Sequence, residues 1–142
     1  MPSADENRDY RQLFYDSYLR CVVSDQDGFF KRFYQLFIAS RPEISTMFSH
    51  TDMERQISLL QESLLHMIDF SNSKVANERM RQVAAYHGSA EMNIPQQMFD
   101  LWMDRLVATV RERDTRFNAH IEVAWRVSLA PGIAFIKAHC SG

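Results

Sequence analysis

Two cysteines, four glycines and four prolines are all that this 142-residue chain holds of the side chains that staple or break a backbone. Cys21 and Cys140 sit near opposite ends, so no disulfide framework can be built. They read as free thiols in a reducing cytoplasm rather than as a bridge closing the whole chain. No run of eighteen apolar residues occurs, which excludes a membrane span from the reading. The opening "MPSADENRDYRQ" lacks the apolar core of a signal peptide. Sixteen basic residues face eighteen acidic ones, spread along the chain for a net charge of −2. No basic block marks a nucleic-acid footprint. There is no glycine-rich phosphate loop, no Cys or His pair at zinc spacing, and no readable Ser-His-Asp set, so no catalytic residue is assigned. Repeats, linkers and low-complexity segments are absent too. A single domain over 1–142 is expected, with residues 1–6 as a loose tail.

What the chain does have is ten Phe and eight Met. With so few breakers, that composition points to an all-α protein with an adaptable apolar interior. A first helix is expected over Asp5–Val23, with Leu13, Phe14, Tyr18 and Val22 as its stripe. "SDQDG" breaks it. "GFFKRFYQLFIAS" places Phe29, Phe33, Leu36 and Phe37 on one face, and Pro42 ends that helix. Glu43–Phe48 reads as a short helical turn. Thr51 and Glu54 have capping-box spacing before a four-turn stripe of Met53, Ile57, Leu60, Leu64, Met67 and Ile68. "SNS" at Ser71–Ser73 closes it. A fourth long helix carries Ala76, Met80, Val83, Ala84 and His87, with Gly88 just past its end. Asn93 and Pro95 start a fifth, with Phe99, Trp102, Leu106 and Val110 inward. "RERDTRFN" breaks it. The last runs to about Ala138 through Ile121, Ala124, Trp125, Leu129 and Ile136, with a kink expected near Val127–Pro131. The sum is six long helices and one or two short ones.

His87 poses the chemical question. An ionisable ring closes the apolar stripe of a helix. On position alone, a core histidine bonded to a carbonyl is the commoner explanation. The other reading is a ligand. One cofactor needs a single protein nitrogen and otherwise an apolar slot: haem iron takes a neutral imidazole on one side and leaves the other open.

The order of features along the chain carries a resemblance. "FFKRFYQLFIASRPEISTMF" resembles the second helix and following corner of bacterial globins, including the globin part of flavohaemoglobins. The match includes the Phe33–Tyr34 pair, Pro42 eight residues after the tyrosine, and Phe48 six after the proline. "RQISLL" resembles the distal helix, and its stripe puts Gln56 at the ligand-facing position and Leu60 one turn on. A register shifted by one would make Arg55 distal and drive Ser63 into the core. His87, then Ile94, Phe99 and Trp102, resemble the proximal histidine and the helix behind it. "EVAWRVSLA" resembles the last globin helix, with Trp125 in the tryptophan position of bacterial members.

The resemblance implies a globin fold enclosing haem b (iron protoporphyrin IX), with His87 as the metal ligand. It sets Tyr34 and Gln56 as distal hydrogen-bond donors, and Phe48, Leu60, Val83, Ile94, Phe99 and Trp102 as further cofactor contacts. The second N–H of His87 would find a carbonyl one turn earlier, at Val83 or Ala84. The implied function is reversible binding or transport of O2, or binding of CO or NO, by a monomer or homodimer. Three alternatives stay open: an NO dioxygenase served by an external reductase, a gas or redox sensor acting through a partner, and a haem-free interaction module. The chain departs from flavohaemoglobins where a proximal tyrosine reads Phe99 and a late glutamate reads Cys140. It also contains no flavin and nicotinamide domain and no transmitter domain like that of globin-coupled sensors.

Overall fold

The computed structural model describes residues 9–73 and 97–140, and every described element is helical. In chain order these are α1 (Tyr10–Cys21), a 3-10 turn (Val23–Asp25), α2 (Gln26–Ala39), α3 (Pro42–Met47), α4 (Met53–Ser73), α5 (Gln97–Arg113) and α6 (Ala119–Cys140). The expected all-α architecture is found. The expected helix ending in His87 lies outside the described residues. Among those described, no helix is long and apolar enough to cross a membrane.

Short polar side chains set most of the helix starts, and they correct the sequence reading at three places. α1 begins at Tyr10 rather than Asp5. Asp9 is extended, and its carboxylate accepts from the N–H groups of Arg11 and Gln12 at 3.0 and 3.3 Å. This caps the helix from outside it. α2 starts two residues earlier than expected, because Asp25 accepts from Gly28 N–H at 3.1 Å. A Cβ at Gly28 would run into the ends of the Asp25 and Arg113 side chains, so a larger residue there would have to displace that ion pair. α4 is capped by Asp52, not by a Thr51–Glu54 box. The Asp52 carbonyl takes the first helical bond from Gln56, and its carboxylate accepts from Arg55 N–H at 3.4 Å. Aspartate one residue nearer the helix outcompetes the threonine.

Pro42 occupies the first turn of α3, where its missing N–H costs little. Arg41 before it is extended, as a residue preceding proline should be. α6 starts where Asn118 accepts from Ile121 N–H at 2.9 Å and runs through Pro131 as one element. The carbonyl that Pro131 cannot bond belongs to Val127, whose side chain is exposed, so water can reach that side of the helix.

α6 is the central support, packing against α1 and α4 and, over a shorter length, against α5. α2 packs on α5 and carries α3. Where α4 meets α6 the backbones come close: a Cβ on Gly132 would stand 2.9 Å from Met67 Cβ. The core joins Phe14, Phe29, Phe30, Phe33, Leu64, Leu106, Trp125 and Leu129. Trp125 is fully buried, with Phe14 edge-on at 4.7 Å and Phe29 stacked at 6.4 Å between centroids.

A polar cluster fixes the corner between α5 and α6. Asp114, just past α5, is 3% exposed. Arg20 from α1 grips it through two nitrogens at 2.8 and 2.9 Å, and Ser17 Oγ donates to it at 2.6 Å. Ser17 in turn accepts from Trp125 Nε1 at 2.9 Å. Cys21 is a free, buried thiol beside this cluster. Burial and the nearby Asp114 charge push its pKa up to about 12, so it remains an unreactive thiol at neutral pH.

Candidate functional site

The inward face of α2 is wider than the four residues expected. Phe29, Phe30, Phe33, Tyr34 and Phe37 are buried, while Leu36 lies only half in. The five fall at steps of one, three, one and three, which is a broad helical face rather than a narrow stripe. Phe33 is its pivot. Its ring stacks on Phe37 at 5.5 Å and meets Tyr34 and Trp102 edge-on at 5.0 and 5.8 Å. Phe48, the residue that ends α3, closes the corner with its ring 5.7 Å from Tyr34 and 6.2 Å from Phe37.

Into this aromatic wall the fold introduces one polar pair. Tyr34 is 5% exposed, and its hydroxyl accepts a hydrogen bond from Gln56 Nε2 on α4 at 3.2 Å. Because the amide donates, the phenol proton is not used in that bond, and among the described residues it has no acceptor. Burial pushes the Tyr34 pKa up to about 12, with Gln56 opposing the shift, so the phenol keeps its proton at neutral pH. Leu60, one turn beyond Gln56, is buried. Arg55 beside Gln56 is exposed, and Ser63 is only partly buried.

The structure thus brings together Tyr34, Gln56 and Phe48. Trp102, half-buried on α5, joins them through Phe33. Phe99 is buried on the same helix, and Leu60 on α4. Val83, His87 and Ile94 lie outside the described residues. Among those described, no group of His, Cys, Asp and Glu could hold a metal ion.

The sequence reading missed the Ser17–Asp114–Arg20 cluster, whose members are 94 and 97 residues apart. No local spacing signals it. A serine on an otherwise apolar helical face was the only available hint. The reading also missed Met98 and Met103, buried on α5 at helical spacing from Phe99 and Trp102.

The donor set suits a flat, largely apolar cofactor. The described residues around the polar pair are aromatic and aliphatic, and the pair presents neutral groups.

No protein-family model and no curated protein matches the chain. Among solved structures it is similar to a protein from Pseudomonas aeruginosa PAO1, whose crystal structure is highly homologous to a human haemoglobin. The two are 34% identical over 92% of this chain and 98% of that one, with a TM-score of 0.83.

Proposed function

Because the chain belongs to the globin family, we propose that it is a haem protein that reversibly binds O2 or another diatomic gas. His87 is the iron ligand in this reading, and Tyr34 is the principal donor on the gas side. The observation that carries it is the polarity of the Tyr34–Gln56 hydrogen bond. A buried phenol that accepts from the amide retains its own proton for a ligand.

Haem, when bound, supplies an iron that takes one imidazole and leaves a position for a small gas. The chain's own residues do the rest. Phe48, Leu60, Phe99 and Trp102 provide apolar surface and exclude water. Gln56 fixes the Tyr34 hydroxyl by donating to its oxygen. Tyr34 then holds a proton that can meet the partial negative charge of a polarised gas molecule. In a dry pocket such a bond contributes about 1–3 kcal/mol. Most of that appears as slower release. The narrower likeness to the globin part of flavohaemoglobins and of coupled sensors belongs to this proposal too, and rests on "FFKRFYQLF" and Phe48.

The test is haem uptake. Adding haem to the purified chain should give a saturable Soret band and a five-coordinate ferrous spectrum that shifts with CO. His87→Ala should abolish the five-coordinate histidine spectrum, and imidazole added in solution should restore it. A chain that takes up no haem after reconstitution, or a His87→Ala protein with an unchanged spectrum, overturns the proposal.

A further inference from the structure

α1 is held very unevenly along its length. Its C-terminal half is clamped. Ser17 and Arg20 both bind the buried Asp114, Ser17 also accepts from Trp125, and Cys21 and Val22 are sealed beneath. Its N-terminal half has one buried residue, Phe14, while Arg11, Gln12 and Tyr15 face solvent. On this side α1, α4 and α6 fail to close. A cleft of about 140 Å³ remains, lined by Phe14, Tyr15, Tyr18, Leu65, Ile68 and Ser128. Protein interiors are otherwise close-packed, and a gap forfeits the dispersion contacts of its lining atoms. Of the α1 side chains at this gap, Tyr15 is exposed and Tyr18 half-buried, and Phe14 is the buried anchor, helped by the partly buried Tyr10 and Leu13.

We infer that α1 is a lid, clamped at Ser17, Arg20 and Asp114, whose N-terminal half lifts away from α4 and α6. Lifting removes the edge of Phe14 from Trp125, where the rings now stand 4.7 Å apart, and opens the cleft towards the core. The clamp keeps the C-terminal half seated while this happens. The solutes such an opening admits are small and uncharged, since the polar groups of the described lining are tyrosine and serine hydroxyls, with the exposed guanidinium of Arg11 at the rim.

Amide hydrogen exchange on the full-length, haem-loaded chain tests it. Leu13 to Asp16 should exchange together through a local opening, followed by a step to slow exchange from Ser17 to Val22. Asp114→Asn should raise exchange across Ser17–Val22 about tenfold or more, and by clearly more than it raises exchange in α5 and α6. Ser17→Ala keeps the ion pair and should act in the same direction, so the reading survives if Asp114→Asn does not fold. Leu65→Trp, which fills the cleft, should slow Leu13–Asp16. A smooth ramp from the helix end would mean simple fraying and overturn the lid. So would an equal rise in α5 and α6 on loss of the clamp, which would mean that the cluster only supports global stability.

Discussion

Tyr34 and Ser17 are both buried hydroxyls set against aromatic rings, and the fold uses them in opposite ways. Ser17 both gives and receives: its proton goes to Asp114 and its oxygen accepts from Trp125. Tyr34 only receives, from Gln56, and keeps its proton free of any described acceptor. The first arrangement is satisfied and charged, and it joins three parts of the chain. The second is neutral and incomplete. A saturated buried network belongs to the architecture, because adding a ligand would break bonds already made. A buried donor with no acceptor among the described residues is the one that could still take a partner without breaking a bond already made. The contrast sets a saturated architectural network beside the pair that the proposed function assigns to the ligand.

The comparison breaks most visibly at Asp114. Asp114→Ala strands Arg20, Ser17 and the N–H of Arg116 together, and should lower unfolding stability by about 3 kcal/mol. Denaturant unfolding of the haem-free and haem-loaded protein measures it, and a loss below the scatter of surface substitutions would make the cluster ornamental. The same group predicts a pH signature. Burial pushes the Asp114 carboxyl up, but the bonds from Arg20, Ser17 and the Arg116 N–H outweigh it and hold it below its usual range. A depressed folded pKa stabilises the fold above the unfolded value of about 3.9. That stability is lost as pH falls through the lower folded value. Asp114→Asn should flatten this acid limb. Tyr34 should contribute no such limb, since its proton stays on up to about 12.

Next in size is the functional side. Tyr34→Phe removes the free donor and leaves the aromatic wall intact. O2 release from the reduced, haem-loaded protein should speed up about tenfold, a change worth about 1.4 kcal/mol. Folding stability should change by less than about 1 kcal/mol, because one modest bond to Gln56 is lost. A large stability loss with unchanged release would place Tyr34 with Ser17, as architecture.

How much of this was legible beforehand follows the range of the interactions. The stripes of α2, α4, α5 and α6 can be read because helical periodicity is written locally. Phe33, Leu64, Leu106 and Trp125 are all buried as expected. Caps were less legible. Thr51 and Asp52 compete for one helix start, and the winner depends on the backbone entering from Phe48. Leu36 reads as inward because it is apolar, yet the packed face runs through Phe30 and Tyr34 instead. The clamp was invisible. Asp114 sits in "RERDTRFN", which reads as a charged break, and only the third dimension brings Ser17 and Arg20 to it. The Tyr34–Gln56 pair was reached by resemblance, since nothing in either local stretch fixes a bond across 22 residues.

The finest distinction lies between neighbours on α4. Gln56 points its amide at Tyr34, whereas Arg55, one residue away, faces solvent. In Gln56→Leu the phenol loses its orienting partner but keeps its proton, so O2 release should accelerate about threefold, less than in Tyr34→Phe. Arg55→Ala should leave release and stability within the usual limit for surface changes, about 0.5 kcal/mol. The Tyr34→Phe/Gln56→Leu double mutant sharpens the case. If Gln56 acts only through Tyr34, the second substitution adds nothing once the hydroxyl is gone. If Gln56 also donates directly to the gas through its other N–H, the two effects multiply. Should Arg55→Ala speed release while Gln56→Leu does not, the helix would present its other register to the gas, and the observed Tyr34–Gln56 bond would lie off the ligand's path.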